Sequence, residues 1–242
     1  MNLPLRAFAA ATVLASGAAA SAAGPACHAE STATLTPVIE LYTSEGCSSC
    51  PPADRWLSTL KPAAAAGKTV VEAFHVGYWD STGWIDRFAA PAHTARQKQI
   101  AALNGLSGIY TPQLVRDGRD WPGAARQPAA AEPARARIVI QGNPSDAFEA
   151  SVTPLDPAGR WSAYWTVTEH GHSSRVKAGE NAGEFLQHDF VVRQYVPAGD
   201  YQGAARLVLR AVPGEAGHPR QVNLVVYDKA TGKPLQALSV GC

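Results

Sequence analysis

The stretch Val38-Ile-Glu-Leu-Tyr-Thr-Ser-Glu-Gly-Cys47-Ser-Ser-Cys50-Pro-Pro-Ala-Asp54, continued by Arg55-Trp-Leu-Ser-Thr-Leu60, decides how this chain is read. Val38 to Thr43 is β-branched and apolar, as a short buried strand should be. A glycine-containing turn with a Cys-x-x-Cys pair follows, and then a helix begins. Pro51 and Pro52 carry no N–H, so they fit only the first helical turn. The helix is therefore expected to start at Cys50 or Pro51, with Asp54 favouring its positive end. Two thiols at such a corner can close into a small disulfide. Backbone N–H groups and the helix end favour a thiolate at the first of them. Cys47 is expected at the exposed tip as the attacking thiol, with Cys50 lower as its resolving partner. Glu45 opposes the thiolate. A static disulfide or half of a zinc site would use the same residues without redox chemistry.

The chain has 242 residues, enough for two modest domains. Twenty-one Lys and Arg against twenty Asp and Glu leave a formal charge of +1 with no basic block. No nucleic-acid or anionic-membrane partner is expected, and no apolar run is long enough to span a bilayer. Residues 1–23 read as a signal peptide: Arg6 is the basic start, Ala7 to Ala15 the apolar core, and Ala18 to Ala23 a small-residue cleavage zone. The mature chain, opening with a segment over 24–36, is expected to be periplasmic or secreted, where disulfides persist. Cys27 and Cys242 then stand at its two ends. A Cys27–Cys242 bridge is expected, contributing about 4–5 kcal/mol by loop closure; the alternative is two frayed ends with free thiols.

Beyond the helix, Thr69 to Val76 reads as a second buried strand, parallel to the first through a right-handed crossover. Its carboxyl end sits beside the cysteine turn, where ligands bind in open α/β sheets. His75, Trp79 and Asp80, in a loop running on to Trp84, Asp86 and Phe88, are candidate accessory residues there. Ala92 to Asn104 reads as a helix ended by Asn104-Gly105. Tyr110-Thr111-Pro112 then precedes a short strand and an Asp117-Gly118 hairpin turn. A Thr-Pro at this point is the other half of a thioredoxin-like site, in which a cis-proline faces the thiols and the preceding backbone holds substrate. On this reading residues 37–133 form an α/β thioredoxin-like domain, closed by a poor Ala/Pro-rich segment over 121–133.

From Arg135 onward the apolar period becomes two: Ile138/Ile140, Phe148/Ala150/Val152, Trp161/Ala163/Trp165/Val167, Leu207/Leu209 and Leu224/Val226. Residues 134–242 are expected to form an all-β, sandwich-like domain of seven or eight strands. His170, His172 and His188 read as hairpin residues rather than a metal site.

Together these strings resemble a bacterial exported family of unknown function. They are Glu40 to Asp54, His75-Val-Gly-Tyr-Trp-Asp80 with Gly83-Trp84, Thr94-Ala-Arg-Gln97, Tyr110-Thr-Pro-Gln113 and Gly179-Glu-Asn-Ala-Gly183. The resemblance covers nearly all of the mature chain. It implies a thioredoxin-like front with a β-rich tail and a redox placement of Cys47 and Cys50, and it carries no established substrate. Gly77 departs from the polar residue expected there. Glu180 and Asn181 become candidates for a contact between the two halves.

The expected function is an exported thiol–disulfide oxidoreductase acting on exported protein thiols or disulfides, without a cofactor. Cys47 attacks, Cys50 resolves, Tyr110, Thr111 and Pro112 hold substrate, and His75 or Asp80 assists proton transfer. Two alternatives stand beside it. One is a Cu(I)-binding protein using Cys47, Cys50 and His75; the other is a non-catalytic binding module whose disulfide is structural.

Overall fold

A computed structural model describes residues 27–122, 130–143 and 146–241. The signal peptide read at 1–23, the start of the 24–36 segment, the middle of the Ala/Pro-rich stretch and Cys242 lie outside the described residues. Cys27 is disulfide-bonded.

The decisive stretch folds into β2 (Val38–Thr43), a turn, and α1 (Pro51–Ser58), with Cys50 as the N-cap and proline in the first turn. After α2 (Lys61–Ala65), β3 (Val70–His75) runs parallel to β2, in register from Val38 opposite Val70 to Thr43 opposite His75. A 3-10 turn over Gly77–Thr82 leads on to α3 (Pro91–Leu103). β4 (Gln113–Arg116) then pairs antiparallel with β2 and hairpins into β5 (Arg119–Asp120).

The second half supplies β6 (Ala136–Gly142), β7 (Ala147–Pro154), β8 (Arg160–Glu169), β9 (His172–Arg175), β10 (Phe185–His188), β11 (Val191–Gln202), β12 (Ala205–Arg210), β13 (Arg220–Asp228) and β14 (Pro234–Gly241). With β1 (Cys27–Glu30), three of these make a four-stranded sheet in the order β1-β6-β7-β12. Its inward residues Ile138, Ile140 and Phe148 pack on Trp161, Trp165 and Leu224 of the facing sheet.

That facing sheet corrects the expected architecture. An α/β thioredoxin-like domain followed by an all-β sandwich-like domain is not what the chain forms. Strands predominate over the chain as a whole, and one eight-stranded sheet, β14-β13-β8-β11-β3-β2-β4-β5, runs through both halves. The junction is the parallel pair Val191 and Ala73, held by the Ala73 N–H donating to the Phe190 carbonyl at 2.8 Å. The cores are shared as well. Phe190 packs with Ile39, Leu41 and Leu57, while Val38 and Val70 pack with Tyr164, Val225 and Ala237. The physical reason lies in β3, which is buried along its whole length and paired on both sides. The apolar surface that the first half cannot cover with its short helices is covered by strands of the second.

A polar seam crosses the same sheet. Glu40 and Glu72 stand opposite one another in register, both buried. Arg96 binds Glu40 with two bonds of 2.9 and 2.8 Å, while the Tyr164 and Thr166 hydroxyls donate to Glu72 at 2.9 and 2.6 Å. Burial, then the neighbouring Glu40 charge, pushes the Glu72 carboxyl up to about 7.

Candidate functional site

Cys47 and Cys50 are joined in a disulfide, with Cα atoms 5.5 Å apart. Both residues are 0% exposed, so Cys47 is not the projecting tip that its place in the turn suggests. Ser48 and Ser49 take the outer positions. The cover comes from the β9–β10 connection, which reaches over the turn from the second half. The Asn181 amide donates to the carbonyls of Glu45 at 2.8 Å and Cys47 at 3.0 Å. Glu180 accepts from the Ser48 N–H at 3.0 Å and the Ser48 hydroxyl at 2.8 Å. Gly179 and Gly183 bracket this strap at φ +74° and +93°, a backbone region that other residues enter only at a cost.

Beside the cysteine turn lies a buried set of acid–base groups. Parallel pairing of β2 and β3 brings His75 to the level of Thr43, two residues before Glu45. His75 Nδ1 meets Asp86 Oδ2 at 2.7 Å, and neither side chain is exposed. Burial lowers the His75 pKa and the Asp86 charge raises it, with a net rise. Burial pushes Asp86 up, but the His75 charge and hydrogen bond, with the N–H groups of Glu45 and Phe88, bring it down to about 2. His75 Nε2 has no hydrogen-bond partner among the described residues. Asp54, in the first turn of α1, accepts from the Thr43 hydroxyl at 2.9 Å, and burial raises its pKa.

His188, on β10, completes the set. Its Nε2 lies 3.2 Å from Glu45 Oε1, too poorly aligned for a hydrogen bond, and its ring stands edge-on to His75 with centroids 4.9 Å apart. Burial raises the Glu45 carboxyl; contact with His188 and with the Trp84 indole, which donates at 2.7 Å, outweighs this and lowers it. Phe88 packs against both His75 and His188. A cavity of about 80 Å³, lined by Pro51, Asp54, Arg55, Phe185 and His188, opens between α1 and β10.

The other expected site residues divide. The Thr111–Pro112 bond is cis. Trp79 donates its indole N–H to the Thr111 hydroxyl at 2.7 Å, tying the two loops together. The Tyr110 hydroxyl donates to Asp120 at 2.8 Å, away from His75. Asp80 accepts from the Asp86 N–H at 3.2 Å, so its contact is with Asp86. The sequence alone does not mark Asp86, Glu45 and His188 as acid–base partners of His75. Glu45 and His188 are too distant along the chain for spacing to connect them, and only the His-to-Asp spacing of 75 and 86 could have hinted at the dyad.

His172, Glu215 and His218 also bring ligand-type atoms within 4.8 Å of one another. Arg193 Nη1 already sits against this group, 3.3 Å from His172 Nε2 and 2.9 Å from Glu215 Oε2. The two imidazoles stack at 3.9 Å and 9°, so their in-plane lone pairs run side by side instead of converging.

Fold and site together define a class: a strand-rich chain in which a strapped, buried Cys-x-x-Cys disulfide stands in a turn beside a buried cluster of carboxylates and imidazoles. Residues 38–227 match the family described as protein of unknown function DUF1223, and the chain belongs to that family. No curated protein matches it. Among solved structures it is similar to protein AGR_C_4864 from Agrobacterium tumefaciens, at 21% identity and TM-score 0.62, over 87% of this chain and 96% of that one. It is also similar to HBP35 of Porphyromonas gingivalis, at 12% identity and TM-score 0.54, over 86% of this chain and 75% of that one. At these identities the likeness bears on the fold alone.

Proposed function

We propose that the protein is a gated thiol–disulfide exchange protein of an exported compartment. The observation that carries this reading is the buried acid–base cluster beside the cysteine turn. Burying Glu45, Asp54, Asp86, His75 and His188 together is costly, and a bridge that only staples a turn has no need of them. Perturbed titratable groups packed beside a reactive centre are what proton-coupled chemistry requires. In the exchange, a partner dithiol attacks Cys47 Sγ as a thiolate and the Cys47–Cys50 bond breaks. Cys50 leaves with the electron pair and takes up one proton. The partner's second thiolate then displaces Cys47, so the partner is oxidised by two electrons and this pair is reduced. The strap must lift first, since no attacking sulfur reaches a fully buried Cys47.

The test is redox cycling of the folded protein against glutathione and dithiothreitol, with Cys47→Ser and Cys50→Ser in insulin-reduction and scrambled-ribonuclease assays. Reversible cycling and loss of activity in Cys47→Ser are expected. A second reading, a binding module with a structural disulfide, is favoured by the complete burial of both cysteines. A pair that resists reduction until the protein unfolds would establish it and end the first.

A further inference from the structure

We infer that His188 is the acid–base residue that carries protons between the buried cysteine pair and solvent, using the small cavity between α1 and β10 as its port. The inference rests on the exchange reading above and adds to it a residue and a route.

Cys50 leaves as a thiolate in a place with no solvent, where a bare charge is expensive. The proton that neutralises it must come from a neighbouring group, and that group must be recharged from outside. Of the buried groups, His75 is turned toward Asp86 by its Nδ1 contact and Asp86 is sealed in. Asp54 and His188 both line the 80 Å³ cavity, whose wall includes Pro51, the residue after Cys50. That volume is large enough to admit water. Neither ring nitrogen of His188 has a hydrogen-bond partner among the described residues. A structural histidine locked by two bonds could not relay; both nitrogens of this one are buried and unpartnered among the described residues, one of them toward Glu45, in a ring that lines the cavity.

The groups facing His188 come from every element around it. Glu45 lies on the cysteine turn, Asp54 and Arg55 on α1, His75 on β3, and Asp86 in the loop beyond β3. His172 is its register partner on β9, and the adjacent Asp189 is held by Lys61 at 2.9 Å. On reduction His188 gives a proton toward Cys50 through Asp54, and cavity water returns one. On oxidation the path runs in reverse.

The experiment is the rate of Cys47–Cys50 reduction by dithiothreitol, corrected for the thiolate fraction of the reagent, from pH 5 to 9 in wild type, His188→Gln and His188→Gly. His188→Gln should be at least about tenfold slower below pH 7 and should lose the pH inflection that wild type shows. Imidazole added to His188→Gly should restore the rate, which a merely structural role would not allow. Wild type should also be about twofold slower in deuterated water, a readout that stands even if the variants misfold. A wild-type profile in His188→Gln, or no isotope effect in wild type, overturns the relay while leaving the exchange reading intact. A wild-type pair that cannot be cycled at all overturns both.

Discussion

The side-chain amide of Asn181 donates to the carbonyl of Cys47 at 3.0 Å, across 134 positions of sequence. It closes the second half of the chain over the cysteine turn of the first. The bond is buried, and Asn181 makes a second one to Glu45. The cysteine turn is therefore held by a residue far from it in the chain.

Asn181→Ala should leave the carbonyls of Glu45 and Cys47 without this donor, at about 1–3 kcal/mol of stability. The strap should open more often, and reduction of Cys47–Cys50 by dithiothreitol should quicken several-fold under native conditions. Chemical denaturation and timed alkylation with mass spectrometry measure the two effects. A variant that is less stable but reduced no faster would show that the strap does not gate the sulfurs.

Asp86→Asn tests the dyad through its pH dependence. Asp86 is held down to about 2 in the folded chain, so its contribution is complete above the ordinary carboxylate pKa of about 4 and is lost as pH falls through about 2. The His75 pKa is raised, so its contribution is complete below about 6.5 and is lost as pH rises through the elevated folded value. The pair should thus add most, on the order of 2 kcal/mol, between about pH 4 and 6.5. Urea midpoints across pH should lose this plateau in Asp86→Asn; an unchanged profile would contradict the pairing.

Glu72 predicts the opposite trend on the alkaline side. Its carboxyl is raised to about 7, so the stability tied to its proton is complete below about 4.5 and lost as pH rises through about 7. Glu72→Gln should flatten that decline and equal or exceed wild type at pH 8. Arg96→Ala acts in reverse: it strands Glu40 as a buried unpaired charge and should cost about 3–5 kcal/mol. Denaturation at pH 6 and 8 separates the two.

Trp79→Phe keeps most of the ring and removes the donor to Thr111. The expected loss is about 1 kcal/mol, with a slower exchange because the loop carrying Thr111 is no longer tied to the one carrying Trp79. Equal stability and equal exchange rates in the variant would remove Thr111 from the site.

Local features were legible in the sequence because local chemistry dictates them. Pro51 and Pro52 fix where α1 begins, the Cys47–Cys50 spacing permits the bridge, and the alternation of Trp161, Ala163, Trp165 and Val167 marks a face that is buried. What could not be read was adjacency between distant strands. Nothing in Val70 to His75 says that Val191 will pair beside Ala73, because a doubly buried strand reads the same whatever flanks it. The same blindness hid half of the site. Glu45 and His188 meet only because β10 folds back over α1, and the exposure expected of Cys47 failed because its cover comes from residues 179–183.

The parallel junction at Val191 and Ala73 has a practical consequence for dissecting the molecule. A chain ended after residue 133 would leave the outer edge of the buried, apolar β3 uncovered, an open template for sticking to its own copies. Such a fragment should precipitate rather than report on the cysteines, so the two halves are best studied in one piece.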